Sequence, residues 1–487
     1  MHDTIRRWLV DSRFASDLHR YHEMLCDINL AHVIMLVETE QISREDSSSL
    51  IEAVEQVRGD PEALVDGSDT EDHYFAVERA VIELAGPTGG RMHIGRSRND
   101  IGATLVRMAL RHQLNSNRLR LLRLMKTVAT LAADHMATVM PGYTHLRSAQ
   151  PTTFGHYLSA VLVSLQRDWL RLSQTYDMLG DCPMGSVAFA GTSHPIDRDG
   201  VATALGFLQP SRNSLDAVAS RDVCVQAVAA ASIAASTLGR FVQDLYVWST
   251  TEFDLIALGP DVTGTSSVMP QKRNPVVLER ARAKVAAILG TFVSSLTALK
   301  GTGFMHSHDA SIDATVPIWI AGDELAALFE VLEVTIGSLE VREENMLLRS
   351  REAFATSTEV ADHLVRELGM PFRQAHKIVS VTVRSLGDRQ HDVDAWRSAL
   401  LEAADEERAI SPALDTETLR CLIDPTASVG RRTSSGSPAQ SEVAAMLGEV
   451  AEWLAARTQE VLDEMSRLDG ARKRLTDRAE RYRDPEQ

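Results

Sequence analysis

Aromatic residues are scarce: Phe, Trp and Tyr together make up 5% of the 487 residues. A chain so poor in aromatics, with Ala and Leu dominating its apolar stretches, favours helix over strand. Cysteine is rarer still. The four present, Cys26, Cys182, Cys224 and Cys421, form no CxxC pair, which argues against a metal site or a disulfide framework and for a reducing cytoplasm. Basic residues are short as well, 50 Lys and Arg against 67 Asp and Glu, for a formal charge of −17. Nucleic acid or an anionic membrane would need a cationic surface, so neither is an expected partner. The start carries no apolar core of a signal peptide. Apolar runs such as VQAVAAASIAASTLG meet charge too soon to span a bilayer. No segment sustains period-two alternation and no long repeat is visible.

What is there is helical patterning. Hydrophobic residues at 44% and charged residues at 24% are ordinary for a globular chain, and the length suggests about three domains. Between Ile101 and Met140 there is no proline and only Gly102 interrupts. Leu110, Leu114, Leu121, Met125, Val128 and Leu131 recur there on one helical face. Similar segments run over 155–179, 215–258, 275–300 and 316–346. Several are apolar on more than one face, so they belong in a bundle core or a subunit interface. The expected fold class is all-α, in three parts: a small helical domain at 1–100, a long central bundle at 101–352 and a small helical domain at 353–487.

The breaks between helices are rich in Gly, Pro, Ser and Thr and carry His, Arg, Lys or Asn: 86–100, 140–153, 181–200 and 259–275. Loops on a rigid scaffold are where chemistry is usually placed. In GTSSVMPQKRNPVVLE, Asn274-Pro275 reads as an N-cap and first helical position. The preceding loop then lies at the positive end of a helix dipole, with the cation of Lys272 and the hydroxyls of Ser266 and Ser267 beside it. It is not a Walker loop, because the required frame is absent. On composition alone, a Ser-rich surface loop explains it equally well.

The residue order is more specific. Ser-Ser-x-Met-Pro-x-Lys-x-Asn-Pro resembles the signature of the fumarase/aspartase superfamily. Arg91-Met92-His93 with Gly95-Arg96-Ser97-Arg98-Asn99-Asp100, Pro141 to Leu146 with Gln150-Pro151, Asn213 to Val218, and Asp424-Pro425 with Ser428-Val429 resemble its argininosuccinate lyase branch. The resemblance covers nearly the whole chain.

It implies a carbon–nitrogen lyase that releases fumarate from an N-succinyl compound through an aci-carboxylate, with argininosuccinate as the default substrate and arginine biosynthesis as the context. It implies no cofactor and no metal, and a cytoplasmic homotetramer whose sites are shared between subunits. Ser266, six residues before Lys272, matches the serine that takes the proton; His145 matches the group that protonates the departing nitrogen, and Glu279 the carboxylate that orients it. Ser97, Arg98, Asn99, Thr144, Gln150, Lys272 and Asn274 match positions that hold the succinyl part. For Arg96 the plain alternative is surface ion pairing.

Three departures bear on the leaving group. Thr265 stands where a glycine usually precedes the double serine, and threonine resists φ > 0. In TGFMHSHDASIDA, His306, Ser311 and Ala314 stand where the branch has Tyr, Gln and Lys. In Glu71-Asp72-His73-Tyr74, Tyr74 stands in place of a histidine. His73, Tyr74, His306 and Ser311 are therefore candidates for the leaving-group side. The alternatives are an ethylenediamine-disuccinate-lyase-like enzyme, an adenylosuccinate lyase, or a non-catalytic crystallin-like scaffold.

Overall fold

The computed structural model describes residues 2–64, 71–407, 409 and 414–483. Helices dominate. The Arg98–Asp134 helix spans 37 residues and starts where Ser97 and Asp100 form a reciprocal capping box. Asp100 also accepts from the backbone N–H groups of Gly185 and Val187, at 3.0 and 2.8 Å. One carboxylate thus fixes both the helix start and the 183–187 turn.

Phe154–Asp177 and Val316–Gly337 pack against that helix, Asp222–Trp248 packs against both of these, and Val276–Lys300 packs against Asp222–Trp248 and Val316–Gly337. They bury one core, with Leu110, Leu121, Met125, Leu165, Trp169, Leu238, Phe241 and Phe329 among its members. A second core joins Ser12–Glu38, Arg44–Gly59 and His73–Ala85 to the first turns of the long helix. A third lies within the helices between Ser357 and Ile423. The last helix, Gln440–Arg483, returns along the bundle. Its Val443, Val450 and Val461 enter the bundle core, and Leu475 and Ala479 enter the second core. Arg118, completely buried, is bonded by Glu460 and Glu464 of that helix and stacks on Trp169 and Tyr176.

Three expectations need correcting. The Asp222–Trp248 and Val276–Lys300 helices are each long and apolar enough, by length and composition, to cross a membrane, so charge does not interrupt their apolar windows too soon. The reason is that each window holds at most two charged residues, which its apolar side chains outweigh in mean hydropathy. The break at 140–153 is not irregular: Val139–Thr144 pairs antiparallel with Arg147–Thr153, with a bulge between Pro141 and Tyr143. Neither strand alternates between buried and exposed residues, so the pairing left no period-two signal in the sequence. Finally, Asn274 does not cap a helix. It is held extended opposite Gly264, and the helix begins at Val276 with Pro275 at the cap position and no side-chain cap bond.

Candidate active site

The serine loop is closed at its base by a two-residue ladder, Gly264–Thr265 against Arg273–Asn274. A side chain at 264 would strike Val276 Cγ2 at 2.5 Å, so this glycine serves close approach of the loop to the helix. Thr265 lies in the extended ladder and needs no positive φ, so the displaced glycine leaves the loop unstrained there. The Oγ of Ser266 accepts from the backbone N–H groups of Val268 at 3.3 Å and Met269 at 3.0 Å. Two aligned N–H dipoles favour negative charge on that oxygen. Lys272 is exposed on the same loop. The helix start behind it leaves its first N–H groups without a side-chain cap, open to an anion.

Glu279 lies in the first turn of the Val276–Lys300 helix and is exposed. Its carboxylate accepts from the Tyr246 hydroxyl at 3.4 Å. His145 and Leu146 form the tip of the 139–153 hairpin with φ of 54° and 57°. Two successive positive φ values match the twist of a two-residue hairpin, although neither residue is glycine. The turn presents Thr144 and His145 to solvent. Gln150 donates to the Thr358 hydroxyl at 3.1 Å.

Ser97, Arg98 and Asn99 open the long helix. The Ser97 hydroxyl accepts from the Asn99 backbone N–H, and the Asn99 side chain donates to the Ala188 carbonyl at 3.0 Å. Arg98 pairs with Glu71 and Asp72 at 3.3 and 3.2 Å and covers the Phe75 ring. Arg96 is not a surface ion pair: it is 2% exposed and donates to Asn29 at 2.6 Å. A side chain between two strongly patterned loop residues reads as exposed, yet here the chain turns it inward beside Glu78 and Asp100.

His306 is half-buried and its Nδ1 has no partner among the described residues. Burial, then the nearby Arg221, His308 and Arg98, hold it down to about 4, so its imidazole is neutral. Ser311 lies in the Asp309–Asp313 turn, its N–H donating to the Ser307 carbonyl. His73 and Tyr74 lie in the second core, 3% and 7% exposed. His73 meets His22 at 3.3 Å, and the Tyr74 hydroxyl donates to Glu78 at 2.7 Å.

Two neighbours of these positions carry no signal in the sequence. Arg221 is buried and donates to the Val218 and Ser220 carbonyls, with no carboxylate partner among the described residues. Tyr246 sits inside an apolar helical run that reads as core.

These groups occupy opposite ends of the bundle. Arg98 and Arg221 both act on His306, which sets the starts of the Arg98–Asp134 and Asp222–Trp248 helices beside the end of Val276–Lys300. At the other end, Phe154 meets His135 and Trp248, and Tyr143 meets Phe253. At 1.5 Å per residue, the 25 residues of Val276–Lys300 separate the serine loop from His306 by about 37 Å. The 37 residues of Arg98–Asp134 separate Arg98 from the His145 hairpin by roughly 55 Å. One chain therefore brings His145, Gln150, Ser266, Lys272, Asn274 and Glu279 to one end. It holds Ser97, Arg98, Asn99, His306 and Ser311 at the other, with His73 and Tyr74 in the core behind them.

Comparison with known proteins places the chain in a family. The family model described as Lyase matches residues 13–290, and the one described as Argininosuccinate lyase C-terminal matches 354–430. The chain is 39% identical over 461 residues to argininosuccinate lyase 1 of Shouchella clausii, covering 94% of this chain and 92% of the relative. It is 36% identical to the argininosuccinate lyase of a Chelativorans species, covering 85% and 86%. Among solved structures, EDDS lyase in complex with formate superposes with a TM-score of 0.89 at 31% identity, covering 96% of this chain and 92% of that one. A class II fumarase from Schistosoma mansoni, at 16% identity and TM-score 0.67 over 84% and 90% of the two chains, shares the fold.

Proposed function

Because the chain belongs to the argininosuccinate lyase branch of the fumarase/aspartase superfamily and is a carbon–nitrogen lyase, we propose that it cleaves argininosuccinate to arginine and fumarate. The observation that carries the chemistry is Ser266, its oxygen seated on two backbone N–H groups beside Lys272 and an uncapped helix start. Ser266, as the alkoxide, takes the proton from the carbon next to a substrate carboxylate. The electron pair left behind passes into that carboxylate, and the aci-carboxylate is stabilised by Lys272, Asn274 and the helix N–H groups. The pair then returns, the C–N bond breaks with its electrons going to nitrogen, and fumarate forms. His145, directly or through water, supplies the proton to the nitrogen, oriented by Glu279. Ser97, Arg98, Asn99, Thr144 and Gln150 hold the succinyl part.

The two ends of the bundle stand too far apart to act on one substrate, so a site must draw on several copies. Exposed apolar side chains at Val163, Leu170, Ile233, Leu289, Val293 and Leu296 on the bundle helices support a homotetramer with shared sites. We read the chain as three units, 1–100, 101–352 and 353–487, the last helix of the third lying along the second. Four free thiols, one of them exposed, suit a reducing cytoplasm.

The test is stoichiometric release of fumarate and arginine from argininosuccinate by the purified oligomer. A second reading rests on the leaving-group end, where His306, Ser311 and Ala314 replace the branch's usual residues and the chain resembles EDDS lyase. Fumarate release from ethylenediamine disuccinate, with argininosuccinate untouched, would replace the first reading by the second.

A further inference from the structure

The Val276–Lys300 helix carries Glu279 and Arg282 three residues apart, on the side facing the Asp222–Trp248 helix. Tyr246, near the end of that second helix, meets both. Its hydroxyl reaches Glu279 Oε1 at 3.4 Å, and the Arg282 guanidinium lies 5.1 Å over its ring. Glu279 forms no ion pair among the described residues, although Arg280 and Arg282 are close in sequence. The Arg282 guanidinium lies over the tyrosine ring rather than in an ion pair with Glu279.

We propose that Tyr246 is a positioning residue for the lyase reaction, its hydroxyl fixing the carboxylate of Glu279 toward His145. This rests on the catalytic reading of Ser266, His145 and Glu279 given above. A phenol is suited to the task. It donates one neutral hydrogen bond to one carboxylate oxygen, and leaves the other oxygen and the full negative charge for the imidazole. An arginine in its place would take both oxygens and offset that charge. At 3.4 Å the contact is long for an O–H···O bond, and such contacts tighten when the site is complete. Tyr246 also ties together the two helices that the serine loop connects, so the same contact holds Glu279 in register with Ser266.

The experiment uses the whole oligomer and follows fumarate release. Tyr246→Phe keeps the ring and the stack with Arg282 but removes the hydroxyl. The inference expects kcat to fall about 3–10-fold, the size of one hydrogen bond, with KM changed less than about twofold and the thermal midpoint held. Tyr246→Leu should lose the same factor in kcat. In Glu279→Gln, adding Tyr246→Phe should cost less than about a further twofold, since the hydroxyl acts through the carboxylate. Wild-type kcat in Tyr246→Phe, or losses that multiply in the double variant, would overturn the inference while leaving the lyase reading intact. Failure of the unsubstituted protein to release fumarate from either N-succinyl substrate would instead overturn the lyase reading, and this inference with it.

Discussion

His145 and Leu146 turn through positive φ without a glycine between them, a conformation that costs non-glycine residues on the order of 1 kcal/mol or more each. The bulged hairpin beneath them holds the turn closed, and the strained residue is the one read as the proton donor. Another histidine records its surroundings differently. Burial, then the neighbouring His22, bring His73 down from 6.5 to about 4. Between those values the unfolded chain binds a proton that the folded chain refuses. Its contribution is therefore present above pH 6.5 and is lost as pH falls toward 4, by up to about 3 kcal/mol. His32, brought down to about 3 by burial, acts in the same direction. Asp100 acts in the other: burial raises it from 3.8 to about 6, so its contribution is fully present below pH 3.8, is lost between there and about pH 6, and is gone above. His73→Leu should make the thermal midpoint fall less steeply between about pH 7 and pH 5 than it does in the unsubstituted protein. Parallel slopes in a melting series would refute this. Residue identities told much of this story and burial told the rest. The serine loop's pattern was legible because its order is fixed by chemistry. The inward turn of Arg96 was not, because it depends on Asn29, Glu78 and Asp100, which lie far away or on other elements.

Helix positions were legible from apolar spacing wherever one element packs by itself. The run expected from 275 to 300 is the Val276–Lys300 helix, and that from 155 to 179 is Phe154–Asp177. Longer runs broke where local pairing intervened. The segment at 316–346 splits because Glu340–Val341 pairs with Ile256–Ala257, a contact between residues distant in sequence. The Val276–Lys300 helix is also the element whose apolar face is left most open, with Leu289, Val293 and Leu296 at 42%, 63% and 45% exposure. Burying that face against other copies is worth far more than any one loop contact. Val293→Glu should therefore convert the oligomer to smaller species in light scattering, and fumarate release should drop by at least about tenfold. An unchanged mass would show that this face meets solvent in the working protein.

The whole molecule follows from the two separated ends. Ser266→Ala and Arg98→Ala each remove a function from opposite ends of the chain, and each homo-oligomer should be nearly inactive. Unfolding the two together and refolding them in equal amounts should restore activity. A site drawing Ser266 from one copy and Arg98 from another has both intact with a chance of one half times one half, so recovery should approach about a quarter of the unsubstituted value. No recovery, with mixed oligomers verified by mass, would mean that both groups reach one site from the same chain. Sharing of sites between subunits was an expectation from the family resemblance alone, carried by no spacing in the sequence. The motifs name the groups, and the helix lengths support the proposal that one chain does not close them around a substrate.

If sites are shared as proposed, the helix of 37 residues acts as a spacer that denies each chain a site of its own. The consequence is a dependence on dilution. Once subunits part, every half-site left behind is inert, so turnover per chain should fall more steeply than in proportion as the protein is thinned. A cell that makes too little of this protein would lose its activity before it loses the protein.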